Sequence, residues 1–295
     1  ILLKDMSTYT STSINEFKDI LNSEVYIDLD KLRDSARHGV PMEVRGEVWK
    51  YLLGVHPADR SQEITNLKEK YEEYLAIEKE NTEIMKRVRG EVSRYQHKIK
   101  KNQNDNKDYT NMFENVISAY MNHNREADYY PALVHLCGPF VNCIRNEADV
   151  YYCFERLMNI LDEYQSVHTI NERVVNFITL FRAVLPDLYS YFEEEEVDLN
   201  EWATSWLQFL LAKELPLEGL MRLWDTYFSI DDPMEFHPYV CLAVLKHCRE
   251  SLEELEQSEI RTLLLRLPAL EMGQIINQAS NIRHEILERQ ISDSL

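Results

Sequence analysis

Apolar side chains recur three and four positions apart along most of the chain. Leu133, Leu136, Cys137, Phe140, Val141 and Ile144 form one such set. Val150, Phe154, Leu157, Met158 and Leu161 form another, and Trp202, Trp206, Phe209 and Leu210 a third. Each places a wide apolar stripe on one helix face, which a packed helical domain requires. Strand-like alternation is almost absent, and only seven glycines punctuate 295 residues. The pattern therefore predicts an all-α fold. Residues 275–290 also read as a helix, with the last few residues frayed. The polar stretch 101–108 (KNQNDNKD) reads as a surface loop, and the acidic run 193–196 as a solvated helix end rather than a site.

Composition narrows the function classes. Hydrophobic residues make up 44% of the chain, as in globular proteins, so a disordered chain is excluded. No apolar run approaches the roughly 20 residues of a membrane span, and residues 1–7 lack the basic and apolar parts of a leader. A net charge of −19 disfavours nucleic acid and anionic membrane as main partners. The five cysteines contain no CxxC pair, so buried reduced thiols of a cytoplasmic protein are expected in preference to a zinc site. No metal or cofactor is expected. HExxH, P-loop and dinucleotide signatures are all missing.

One segment breaks the acidic background. Residues 86–101, KRVRGEVSRYQHKIKK, carry Lys86, Arg87, Arg89, Arg94, Lys98, Lys100 and Lys101 against a single acid, Glu91. Such a strip either marks the approach of a phosphate or acidic partner, or is an ordinary solvated helix end.

Several ordered motifs resemble the TBC family of Rab GTPase-activating domains. Gly39-Val40-Pro41 followed by Arg45, Trp49 and Leu52-Leu53-Gly54 is similar to its opening motif, G-[IV]-P before R-x-x-x-W and LLG. The local physics agrees. Pro41 suits a first helical turn, Arg45 lies one turn from Trp49 so that its guanidinium can cover the indole, and Gly54 suits a helix stop. Val88-Arg89-Gly90-Glu91-Val92-Ser93-Arg94 resembles I-x-x-D-x-x-R, with Tyr95 where the family usually has threonine. Further on, Asp149 to Phe154, Leu185 to Tyr189, Trp206, Leu215-Pro216-Leu217, Arg222-Leu223-Trp224-Asp225 and Phe236 to Cys241 are similar to family segments made mostly of packing positions. The resemblance covers roughly residues 39–248.

The resemblance implies a TBC domain of two helical subdomains over residues 39–250. Residues 1–38 would be an N-terminal helical extension, and residues 251–295 helices packing on or completing the domain. It implies a Rab-type GTPase in its GTP-bound form as partner, with peripheral membrane association or endomembrane recruitment only through that partner. Arg94 becomes the catalytic finger, and Arg45, Arg89, Glu91, Lys98, Tyr129 and Pro131 become GTPase-binding residues. The family's second finger is the glutamine of Y-x-Q-G-M. Counting back from Pro139 without a gap keeps the tyrosine as Tyr129 but puts Pro131 at the glutamine, and residues 121–144 contain no glutamine at all. Asn122, His123, Asn124 and His135 are the nearby polar residues available to substitute for it, and His135 reads better as a hydrogen-bonded structural histidine. Two outcomes stay open: activation through Arg94, weakened by the loss, or an inactive TBC module that binds without accelerating hydrolysis.

Overall fold

A computed structural model describes residues 13–99 and 109–294. Lys100, Lys101, the loop expected over 101–108 and the reading of residues 1–7 lie outside the described residues. Among the described residues the regular structure is helical. After α1 (residues 13–21) come α2 Leu29–Ala36, α3 Met42–Leu52, α4 Glu63–Ala76, α5 Thr82–Ile99, α6 Thr110–His123, α7 Ala132–Cys143 and α8 Glu147–Val167. There follow α9 Ile170–Val184, α10 Pro186–Glu194, α11 Leu199–Gln208, α12 Leu217–Tyr227, α13 Pro233–Leu252, α14 Gln257–Leu265 and α15 Met272–Ser294. The chain divides into two compact units, residues up to 160 with 224–230, and residues 161–223 with 231–295.

In the first unit, Phe17 and Ile20 of α1, Leu32 and Ala36 of α2 and Val44, Val48 and Tyr51 of α3 share one core. Pro41 is the residue before α3 rather than within its first turn, with φ −57° and ψ 142°. Gly54 stops the helix as its composition suggests, in the left-handed region at φ 73°. Gly46 faces the backbone of Cys143, and an added Cβ would run into that carbonyl, so the glycine sets how closely α3 and α7 approach. Trp49 is fully buried, edge-on to Phe140 at 5.7 Å and to Phe228 at 5.1 Å.

The Arg45 guanidinium lies 6.0 Å from the Trp49 ring, the stacking that their spacing implies. Asp225 accepts four hydrogen bonds: Val40 N–H at 2.9 Å, Arg45 Nε at 3.0 Å, Arg45 Nη2 at 2.9 Å and Trp49 Nε1 at 2.7 Å. This corrects one expectation. Arg45 is buried and bound to Asp225, so it cannot meet a GTPase at the surface; an arginine four residues from a core tryptophan is drawn inward with it.

In the second unit, Trp202 packs on Trp206 at 4.8 Å and against Phe177, Phe181 and Phe192, and Trp206 Nε1 donates to the Leu264 carbonyl at 2.9 Å. The third predicted stripe overshoots its helix. Leu210 and Leu211 take left-handed φ values of 54° and 62°, and the Leu211 N–H turns back to the Trp206 carbonyl at 3.2 Å. Residues 193–196 do form a solvated helix end, with Glu196 left-handed at φ 55°. The last helix runs from Met272 to Ser294, past residue 290 where the apolar pattern ended it. Ile275, Ile276, Ala279 and Ile282 anchor its first half, and propagation beyond them adds one hydrogen bond per residue.

Candidate functional site

Helix α5 presents the basic strip for a simple reason. Val88, Val92 and Tyr95, spaced four and three apart, are buried, so they turn Lys86, Arg87, Arg89 and Arg94 outward. Tyr95 anchors this face. Its ring meets Phe113 edge-on at 5.9 Å and His135 at 5.0 Å, in space that a side chain at Gly138 would occupy.

The Arg94 side chain is 73% exposed and is steered by the helix turn before it. Its Nε and Nη2 donate to Glu91 Oε2 at 3.0 and 2.8 Å. The other Glu91 oxygen is 2.9 Å from His135 Nε2 on α7. Burial pushes the Glu91 carboxyl upward, but the bonds and charge of His135 and Arg94 outweigh it and leave the group below the usual carboxylate range. Glu91 is therefore an inward brace rather than the surface contact expected of it, because both of its oxygens are already committed.

The remaining predicted residues flank this array. Tyr129 sits beneath the Arg87 guanidinium, 4.5 Å from ring centroid to cation. Its hydroxyl is buried without a hydrogen-bond partner. Burial and the Glu91 carboxylate raise its pKa, while Arg87 and Arg94 act the other way, so Tyr129 shares one electrostatic neighbourhood with all three. Pro131 is exposed immediately before α7, at φ −59° and ψ −29°. Arg89 reaches back to the buried Glu114 at 2.7 Å, and Lys98 lies 5.7 Å from the Tyr95 ring.

The structure thus brings Arg94, Glu91 and Tyr129 together and leaves Arg45 in the core. It also adds Arg87 and His135, which spacing alone does not assign to the site. The only signal for Arg87 was its place in the strip; His135 is the hydrogen-bonded structural histidine that its setting suggested, but its partner, 44 residues away, could not be read from spacing. None of these residues lines the cavity of about 550 Å³ in the same unit, which is walled by Lys50, His56, Arg60, Glu63, Lys70 and Asp149. Arg94 stands on an exposed helix face, as a group must that acts on a substrate held by another molecule. No group of three or more metal-ligating side chains is gathered among the described residues, and no described helix is long and apolar enough to cross a membrane.

The family model of the Rab-GTPase-TBC domain matches residues 42–253. The chain belongs to the TBC family. It is 29% identical over 296 residues to GTPase-activating protein gyp1 of Schizosaccharomyces pombe, covering 86% of this chain and 57% of that protein. It is 27% identical over 304 residues to human TBC1 domain family member 22B, covering 91% of this chain and 60% of that protein. The chain thus spans somewhat over half the length of these curated relatives. In the crystal structure of the Ypt/Rab-GAP domain of Gyp1p the same fold recurs at a TM-score of 0.72 and 22% identity, over 91% of this chain and 96% of that one. The all-α TBC fold therefore accounts for the opening motif, since the Arg45–Trp49–Asp225 cluster is a packing device of this TBC chain.

Proposed function

We propose that this TBC chain regulates a Rab-type GTPase in its GTP-bound state, with residues 39–250 as the activating domain and Arg94 as the arginine supplied in trans. The observation that carries this reading is the exposed Arg94 guanidinium, held along one edge by Glu91 at the position of the family's motif arginine. The transition state of GTP hydrolysis spreads charge over the transferring phosphoryl oxygens, and a guanidinium delivered there accelerates reaction by roughly 10³–10⁵. Arg87 and Lys86 on the same helix present further positive charge to an acidic or phosphate-bearing surface. Recruitment to endomembranes follows in this reading from the partner.

Pro131 favours a second reading, in which the chain binds a GTPase without accelerating it. A proline ring has no side-chain donor or acceptor with which to orient water. In the activating version the GTPase's own glutamine performs that task.

Single-turnover GTP hydrolysis across a panel of Rab-type GTPases separates the two. Activation predicts acceleration of at least one GTPase and its loss in Arg94→Ala. Binding to a GTP-loaded partner with no acceleration in wild type leaves the second reading.

A further inference from the structure

The two oxygens of Glu91 serve different partners. Oε2 takes the Nε and Nη2 edge of Arg94, which leaves the remaining guanidinium N–H groups pointing away from the carboxylate. Oε1 faces His135 Nε2 at 2.9 Å. An ionised carboxylate only accepts, so Nε2 carries the proton and donates. A carboxylate held by Arg94 alone would swing with it, since both side chains stand on one helix. The second donor comes from a different helix and from a ring that is itself fixed. His135 is 8% exposed and packs edge-on against Tyr95, which in turn fills the space beside Gly138.

We infer that His135 is a positioning residue for Arg94, acting through Glu91 to tie the direction of the guanidinium to α7. This rests on the reading of Arg94 as the finger. His135 touches neither nucleotide nor partner; its contribution is to fix the arginine before the GTPase arrives, so that little ordering remains for the transition state. Misplacing a catalytic group by about 1 Å can lower a rate by as much as ~100-fold.

The test uses the full chain, with His135→Leu to remove the donor and His135→Gln to keep an N–H at similar reach. Thermal melting verifies that both variants fold. Expected is a maximal single-turnover rate about tenfold lower in His135→Leu. The half-saturating concentration should be unchanged, and the rate largely restored in His135→Gln. In an Arg94→Ala background the His135→Leu change should cost nothing more. An independent readout is exchange of the Arg94 Nε proton by NMR, which should be slow in wild type and His135→Gln and fast in His135→Leu. Full activity and slow exchange in His135→Leu, with Arg94→Ala inactive, overturn this inference alone. Acceleration surviving in Arg94→Ala overturns the finger reading, and this inference with it. If no GTPase responds, the exchange measurement decides whether His135 holds the arginine.

Discussion

Arg45 and Asp225 stand 180 residues apart and meet through two parallel hydrogen bonds, at 3.0 and 2.9 Å, inside the first unit. Both side chains are nearly or wholly buried, and the remaining capacity of the carboxylate is filled by Val40 N–H and Trp49 Nε1. Removing one member leaves the other charge desolvated and uncompensated. Asp225→Ala is therefore expected to destabilise the fold by about 3–5 kcal/mol. Denaturant unfolding of the variant checks this, and a loss under about 1 kcal/mol would show the pair to be dispensable. Arg45→Ala should do comparable damage, with partner binding reduced only as far as folding is.

Two glycines, Gly46 of α3 and Gly90 of α5, should respond in opposite directions. An added methyl at Gly46 meets the Cys143 backbone, which cannot swing aside, so Gly46→Ala should cost about 1–3 kcal/mol. At Gly90 the same methyl meets nothing within 4 Å. Gly90→Ala lies within α5 and should stabilise by about 0.5–1 kcal/mol through the unfolded state. A melting temperature of Gly46→Ala at or above that of wild type would contradict the packing described for α3 and α7.

His237 makes acid stability informative. It is fully buried in the second unit, and burial pulls its pKa from 6.5 to about 3 even though Nε2 binds the Trp206 carbonyl at 2.7 Å. The folded chain keeps the ring neutral, while the unfolded chain takes up a proton below pH 6.5. The contribution is complete above that value and shrinks as pH falls towards 3, at about 1.4 kcal/mol per pH unit. His237→Gln should flatten the fall of unfolding free energy between about pH 6 and 4 by roughly 1 kcal/mol per unit. An unchanged slope would mean that the ring is protonated in the folded chain.

Restoring an amide at the exposed residue before α7 tests the reading of Pro131. Pro131→Gln should raise single-turnover acceleration by about tenfold or more, since orienting the attacking water is the second requirement of the chemistry. The gain should vanish when Arg94→Ala is combined with it. No gain in a GTPase that wild type already activates would mean that the partner orients its own water.

Helix stripes were legible because burial follows a 3.6-residue period regardless of what lies opposite. Val150, Phe154, Leu157, Met158 and Leu161 are buried as their spacing predicts, whereas α7 is buried on every side from Ala132 to Val141 and Ile144 already lies past its end. The limits of the stripes were less so: Leu210 and Leu211 are apolar and buried, yet turn out of the helix. Apolar character reports that a residue goes inside and says little about its φ. Arg94 stood out by motif and strip, whereas His135 looked like one polar residue in an apolar stretch.

What the order of residues determined by itself was therefore the all-α class, the family, and the helix that carries the basic face. These depend on local period and on motif spacing, both of which can be read along the chain. Which charges face solvent was decided only by packing. Arg45 and Arg94 are the same residue type in motifs of similar strength, but one is closed over by Asp225 and the other is left outside against Glu91. Asp225 comes to Arg45 from α12, and His135 comes from α7 to hold Glu91, the in-helix partner of Arg94; a linear sequence does not state which helices face each other.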